Sequence, residues 1–247
     1  MKQSYDEIVL LDAAAHDECP YDWECEVCGR ELCIRLVGVA DFPSTSGDFK
    51  ILAFYNNKDE KDHIALVKGD VRSEESVLTR LHSSCLTGDA LGSERCDCGL
   101  QLHVALNRID REGLGILLYM QQEGRGIGLA NKIKAYQLQD KGLDTFDANL
   151  HLGFGPDQRD YDISAAILAK LGVKSIRLLT NNPDKVKQLR SYGVDIVEQV
   201  PLEVPANENN LKYMLAKKKR FGHKLSLQNE ERQEQTDDGA VNTQKKR

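Results

Sequence analysis

The 247-residue chain lacks any run of about 18 apolar residues, the length a membrane-crossing helix needs, so no membrane span is expected. It also lacks an excess of positive charge. Its 33 lysines and arginines stand against 39 aspartates and glutamates and are spread along the chain. That distribution argues against a nucleic-acid binder, whose footprint is a strongly basic face, but leaves room for a local pocket that takes a small anion. The opening stretch, "MKQSYDEIVLLDAAAHDECPYD", has a short apolar patch flanked by acids and no basic segment before it, so no secretory signal is expected. Without such a signal, seven cysteines point to reduced thiols and metal binding in the cytoplasm, not to disulfides. No internal repeat is present.

What is present divides into three parts: an N-terminal cysteine-containing extension (1–36), a main domain (37–225), and a polar tail (226–247) with almost nothing to bury, expected to be disordered. The first part of the main domain is β-rich. "CIRLVGV", "DFKILAFY", "DHIALVKGD" and "SVLTRLH" alternate or run apolar between turn clusters. From Gly99 the texture changes. Leu102, Ala105, Leu106 and Ile109 mark an amphipathic helix ending near Gly113, and "GILLYM" a buried strand. Leu129, Ile133 and Tyr136 line a second helix, and Ile163, Ala166, Ile167 and Leu171 a third. "SIRLLT" is a strand, Asn182 and Pro183 start a helix that Gly193 stops, "VDIVEQV" is a strand, and "NNLKYMLAKKKRFGH" a last helix. This is an α/β fold in which a β-rich N-terminal part is followed by alternating strands and helices forming a mixed, largely parallel sheet.

The chemistry concentrates in "SSCLTGDALGSERCDCGLQ". Cys96 and Cys98 are one residue apart, and Cys85 joins them across a loop carrying Thr87, Asp89 and Ser93. A C-x-C pair entering a helix can converge on one ion. Three thiolates are one short of the four a structural zinc site uses, and no second C-x-x-C knuckle follows Cys98. Soft sulfur ligation suits zinc over magnesium or manganese. A zinc ion with an open position generates hydroxide near neutral pH, a nucleophile for an amide or amidine-like carbon. Three unrelated buried thiols, or a four-thiolate site completed elsewhere, are the plainer alternatives.

Four stretches in order decide between these alternatives: "RLHSSCLTGDALGSERCDCGLQL", "GILLYMQQEGRGIGLANKIKAYQLQDKGLDTFDAN", "GFGPDQRDY" and "LLTNNPDKV". Together they resemble the GTP cyclohydrolase II family of riboflavin biosynthesis, over roughly residues 37–225. The resemblance implies that GTP loses carbon 8 as formate and is cut between its α- and β-phosphates. Pyrophosphate and a diamino-ribosylamino-pyrimidinone 5'-phosphate are the other products. It also implies zinc for the ring opening, magnesium with the phosphates, and a homodimer.

Carried over residue by residue, the resemblance makes Cys85, Cys96 and Cys98 the zinc ligands. Arg159 matches the family's nucleophile on the α-phosphate and Asp157 its proton acceptor. A guanidinium is equally suited to clamp phosphate through its fork of donors, so both roles stay open. Tyr136 matches the tyrosine that assists at the metal, although a tyrosine on an apolar stripe is ordinarily a core residue. Arg80, Leu81, His82, Ser83, Ser84, Gln101, Glu123, Gly124, Arg125, Thr145, Thr180 and Lys185 match GTP contacts. The glycine loop holding Gly124 and Gly126 suits backbone approach to an anion, though a G-x-G alone is equally a tight turn. Lys185, in the first turn of its helix, would otherwise be a solvated lysine.

Two positions depart from the family's pattern. Ser84 stands where the family commonly has glutamate, and Met120 where histidine, leucine or tyrosine is expected. Some relatives stop at a formamidopyrimidine with formate retained, and these departures make that the alternative outcome. Cys19, Cys25, Cys28 and Cys33 lie outside the motif and have the makings of a second, structural zinc site. A non-catalytic zinc and nucleotide sensor would be marked by loss of the site residues, all of which are present. The pterin-forming cyclohydrolase keeps the triphosphate and lacks these motifs. The residues before the match are too few for the dihydroxybutanone phosphate synthase often fused there, so a single activity is expected.

Overall fold

A computed structural model describes residues 4–15, 32–59 and 61–226. Cys19, Cys25, Cys28 and the tail from residue 227 lie outside them. Helix α1 (Tyr5–Ala15) is followed by strands β1 (Ile34–Ser44), β2 (Gly47–Asn56), β3 (His63–Lys68) and β4 (Val77–Ser83), at the four apolar stretches of the β-rich part. Then come α2 (Leu86–Asp89), α3 (Cys98–Glu112), β5 (Gly115–Met120), a 3₁₀ turn (Glu123–Gly126), α4 (Leu129–Asp140) and α5 (Thr145–His151). The chain continues as α6 (Asp162–Lys170), β6 (Ile176–Leu179), α7 (Pro183–Ser191), β7 (Ile196–Val200) and α8 (Leu211–Phe221). None of the described helices is long and apolar enough to cross a membrane.

All seven strands join one sheet in the order β1-β2-β3-β5-β4-β6-β7. The β-rich part pairs antiparallel through β1, β2, β3 and β5, and the alternating part pairs parallel through β5, β4, β6 and β7. Parallel neighbours need a crossover, and α3 supplies it between β4 and β5. The pleat then splits the core in two. Leu81, Ile116 and Leu118 pack with Ile163, Ile167 and Leu168 of α6 and with Tyr5 of α1. Leu78, Leu117 and Leu179 pack against Ala105, Leu106 and Ile109 of α3. The helix stops follow the expected chemistry: Gly113 caps α3 in the left-handed region at φ 73°, and the Asn182 side chain accepts the Asp184 N–H to open α7.

Three features differ from the sequence reading. Helix α5 falls in a stretch where no element was expected. On α4 only Tyr136 of the expected stripe faces inward: Leu129 is 38% and Ile133 44% exposed, while Lys132 and Ala135 are buried. The reason is that α4 covers the polar cavity described below, so its inward face carries Lys132 and Tyr136. Helix α1, inside the expected extension, sits on the main core. Its buried Asp12 carboxylate accepts the Leu36 N–H at 2.8 Å and pairs with Lys170 of α6. Asp12→Ala leaves a buried N–H and an ammonium without their acceptor, so urea unfolding should show a loss of about 2 kcal/mol. An unchanged midpoint would mean that this anchor contributes nothing.

Candidate active site

The carboxyl ends of β4, β5 and β6 open onto one cavity, where parallel α/β sheets place their ligands. β4 delivers His82 and Ser83 and leads to Cys85; β5 leads into the 3₁₀ turn; β6 leads to Thr180 and Asn181. With α4, α5 and α8 they enclose about 1090 Å³, mouth included.

At one end stand the three thiols. Cys85, just before α2, meets Cys96 and Cys98 at the start of α3, and the sulfurs lie within 4.8 Å of one another. All three line the cavity, and among the described residues no fourth His, Cys, Asp or Glu joins them. Gly88 makes the cluster possible, because a Cβ there would stand 2.8 Å from the Cys96 sulfur and 3.2 Å from that of Cys85. The Asp89 carboxylate fixes the loop, taking the Cys85 N–H at 2.9 Å, the Tyr119 hydroxyl at 2.9 Å and His82 Nε2 at 3.0 Å. Burial holds the His82 pKa below its usual value, so the ring is neutral. An acceptor-only carboxylate therefore puts its proton on Nε2, and Nδ1 is buried with no partner.

The thiols are tightly coupled. Hydrogen bonds from Cys96 and Cys98, with Lys132 beside it, hold Cys85 far below the usual thiol range, and the hydrogen bond to Cys85 pushes Cys96 up to about 11. Lys132 Nζ lies 3.0 Å from the Cys85 sulfur and 2.7 Å from Glu123 Oε1, while Glu123 Oε2 accepts the Leu86 N–H at 2.7 Å. Three sulfurs this close exchange protons readily for a divalent ion. The soft donors, their spacing, the space reserved by Gly88 and the cavity-facing side all fit zinc. Tyr136 stands next to them. Its hydroxyl is 3.3 Å from Thr87 Oγ1, its ring carries the Arg95 guanidinium at 4.9 Å, and burial raises its pKa.

The remainder of the cavity is cationic. Arg80, Arg125, Arg159, Lys185 and Lys217 all line it. Lys185 is 4% exposed, so it is no solvated lysine; its ammonium donates to the Leu81 carbonyl at 2.8 Å, and burial drives its pKa well down. Arg80 donates to the Leu179 carbonyl and to Gln101, and burial lowers its pKa to about 10. Arg159 donates Nε–H to Asp157 Oδ1 at 2.8 Å, with a second link from Nη2 to Oδ2, and reaches Ser83 Oγ at 3.3 Å. Burial works against its charge, but Tyr161 and Asp157 favour it, and its pKa lies above the ordinary value.

Of the zinc-ligand, catalytic and GTP-contact residues that the resemblance implies, all but two line this cavity. Leu81 points to the opposite face of β4 and is a core residue at 1% exposure, contributing only its carbonyl. Asp157 is turned onto Arg159 and does not line the cavity. Four groups escaped the sequence reading: Lys132, Asp97 between the cysteines, and Lys217 and His223 at the C-terminal end. Asp97 is fully buried between the two cysteines, and a buried carboxylate needs a charged partner, which Lys217 supplies. Cys33, the one described member of the N-terminal set, is buried and donates its N–H to Asn57 Oδ1.

A trio of cavity-facing thiols beside a cation-lined cleft, at the carboxyl edge of a parallel sheet, is the arrangement of an enzyme that acts on an anionic substrate. The family model for GTP cyclohydrolase II matches residues 35–201. Riboflavin biosynthesis protein RibBA of Bacillus cereus is 56% identical over 185 residues, which are 75% of this chain and 47% of that protein. RibBA of Bacillus mycoides shows the same identity and coverage. The chain belongs to the GTP cyclohydrolase II family, whose members hydrolyse GTP. It spans about half the length of the curated relatives it matches. A solved structure, RibBX of A. baumannii, described as a two-domain 3,4-dihydroxy-2-butanone 4-phosphate synthase, aligns with TM-score 0.42 and 16% identity over 79% of this chain and 44% of that one.

Because a methyl group at residue 88 would press on two of the sulfurs, Gly88→Ala should weaken zinc binding by about tenfold or more against a competing chelator, with the far-ultraviolet circular dichroism unchanged. Zinc affinity equal to that of the unaltered chain would remove Gly88 from the metal site.

Proposed function

We propose that the chain opens the imidazole ring of GTP and cleaves its triphosphate, releasing formate and pyrophosphate and leaving a diamino-ribosylamino-pyrimidinone 5'-phosphate, the first step of riboflavin biosynthesis. The observation that carries this reading is that the thiolate trio and the Arg159 guanidinium face one cavity. Cys85, Cys96 and Cys98 would hold zinc, which when bound supplies Lewis acidity and lowers the pKa of its water to about 7. Tyr136, kept protonated by burial, is a hydroxyl donor at the thiolate end. Glu123 holds Lys132 against Cys85 and keeps lone pairs for guanine's N–H groups. Lys132 stays charged there: burial opposes its charge, but Glu123 and Cys85 raise its pKa.

At the other end Arg159 acts as a phosphate clamp. Its charge is favoured by Asp157, and a nucleophilic role would first require removing that proton. Asp157 orients the guanidinium so that Nη1, next to Ser83 Oγ, faces the substrate. Lys185 and Arg80 add positive charge beside it, and magnesium accompanies the phosphates in this reading. Assembly as a homodimer belongs to the same reading, and sedimentation equilibrium tests it.

One observation favours a second outcome, in which the reaction stops at the formamidopyrimidine. Ser84 and Met120 meet, the Ser84 N–H donating to the Met120 carbonyl at 2.8 Å. The Ser84 hydroxyl is buried without a partner, and the Met120 side chain lies in the core, so neither brings a carboxylate or imidazole to the cavity.

Incubation with GTP, zinc and magnesium, with formate and pyrophosphate counted and the nucleotide product weighed, separates the two. One formate and one pyrophosphate per GTP is the expected result. Pyrophosphate without formate selects the second outcome, and consumption of no GTP sinks both. Arg159→Ala should slow pyrophosphate release by at least about 100-fold, the usual cost of losing one transition-state donor. Cys96→Ser should lower the zinc content by one ion per chain and abolish ring opening; undiminished zinc would contradict the ligand set.

A further inference from the structure

We propose that α8 and the turn after it form a wall of the substrate site, with His223 binding the outer phosphates of the polyphosphate chain. The inference rests on the reading of the substrate as GTP. It goes beyond the family match, which ends at residue 201, ten residues short of α8.

Helix α8 is held over the cavity by polar anchors. The Lys217 ammonium is paired with the buried Asp97 carboxylate between the two metal-loop cysteines. Arg220 pairs with Asp144 at 3.0 Å and Asp147 at 3.2 Å, at the start of α5. The helix ends at Gly222, whose φ of 64° turns the chain sharply back. Two hydrogen bonds then hook the turn: His223 N–H to the Lys217 carbonyl at 3.1 Å, and Lys224 N–H to the Asn181 carbonyl at 3.0 Å. The result is a His223 side chain that lines the cavity.

Its surroundings say what it meets. Burial first, and then the charges of Lys217, Arg125, Arg159 and Lys185, hold the imidazole neutral, with a pKa near 3. Arg125 comes from the 3₁₀ turn, in the left-handed region at φ 60°, and its guanidinium lies 3.8 Å from the Phe221 ring centre of α8. Its Nη1 is closed off from solvent and has no hydrogen-bond partner. Asp97 and Asp157 are already committed to Lys217 and Arg159, so among the described residues no carboxylate pairs with Arg125 or Lys185. A cluster of cations around an imidazole, with an unmet N–H, is a site for a polyanion. With Arg159 assigned to the phosphate nearest the ribose, the α8 side is left for the outer ones.

Calorimetry on the full chain tests this with two probes, GMP and a GTP analogue carrying a methylene between its α- and β-phosphates. His223→Ala should weaken the analogue by at least about tenfold and GMP by less than about twofold, the loss of one hydrogen bond to a charged group. Unchanged affinity for the analogue, or equal weakening of both probes, overturns the proposal. Hydrogen exchange on the unaltered chain is independent of how the variant folds: the analogue should slow exchange in residues 211–224 where GMP does not, and equal exchange counts against α8 as a wall. An unaltered chain that binds neither probe overturns the substrate reading beneath it.

Discussion

Positive charge taken out of water, at the place where two parallel strands part, is the constraint around which this molecule is arranged. The β4–β6 ladder ends at Thr79 and Leu178. Beyond it the strands diverge, and carbonyl groups that would have met a neighbouring strand are left to find other donors. Lys185 donates to the carbonyl of Leu81, and Arg80 to that of Leu179, so the gap in the sheet is closed by two basic side chains. Neither donates to a carboxylate through these bonds, and burial lowers the pKa of both. Backbone dipoles of this kind support a buried charge without neutralising it, which is the condition for a site that must still attract an anion.

The thiolate end is built on a different logic, with each carboxylate committed to donors of its own. Asp89 gathers the Cys85 N–H, Tyr119 and His82; Glu123 gathers Lys132; Asp97 gathers Lys217. The two ends are joined through a short chain of side chains. Asp97 Oδ2 accepts from Gln101 at 2.6 Å, and Gln101 accepts from Arg80 at 2.7 Å. The residue between Cys96 and Cys98 is thereby tied to the guanidinium that closes the sheet, and through Lys217 to α8. Buried polar chains of this sort fix one arrangement of the parts because every alternative leaves a charge unmet.

Much of this was legible in the sequence where periodicity and local chemistry agree. The α3 stripe, the Asn182–Pro183 helix start and the strand GILLYM are each decided within a dozen residues, and the structure has them there. The C-x-C pair with a distant third cysteine was readable because sulfur ligands need only convergence. What escaped depends on contacts far apart in the chain. In α1 the positions Tyr5, Ile8 and Val9 begin a core stripe, but its next place is Asp12, and only Lys170 and the Leu36 N–H make that carboxylate a core group. On α4 the hydrophobic period selects Leu129, Ile133 and Tyr136, yet the cavity takes only Tyr136 of these and turns Lys132 inward beside it. Leu81 sits between two site residues in sequence, but the strand's period of two sends it to the other face. Lys217 and His223 carry no local mark at all, since their role follows from the docking of α8.

Seen against this charge balance, the two unusual positions act on the two ends differently. A glutamate at residue 84 would place a second carboxylate on a cavity wall where Glu123 stands among many cations. Serine there, with its hydroxyl unpartnered, leaves the positive potential less compensated. That strengthens the pull on a polyphosphate, because Coulomb attraction in a poorly hydrated cleft is weakly screened. At the thiolate end the same change removes a proton acceptor beside Cys85, and Met120, sunk in the core, does not replace it. In the proposed reaction, phosphate capture would gain while the removal of formate would lose a group able to move its proton. The balance between the two products would therefore turn on the side chains at positions 84 and 120, one residue before Cys85 and at the end of β5.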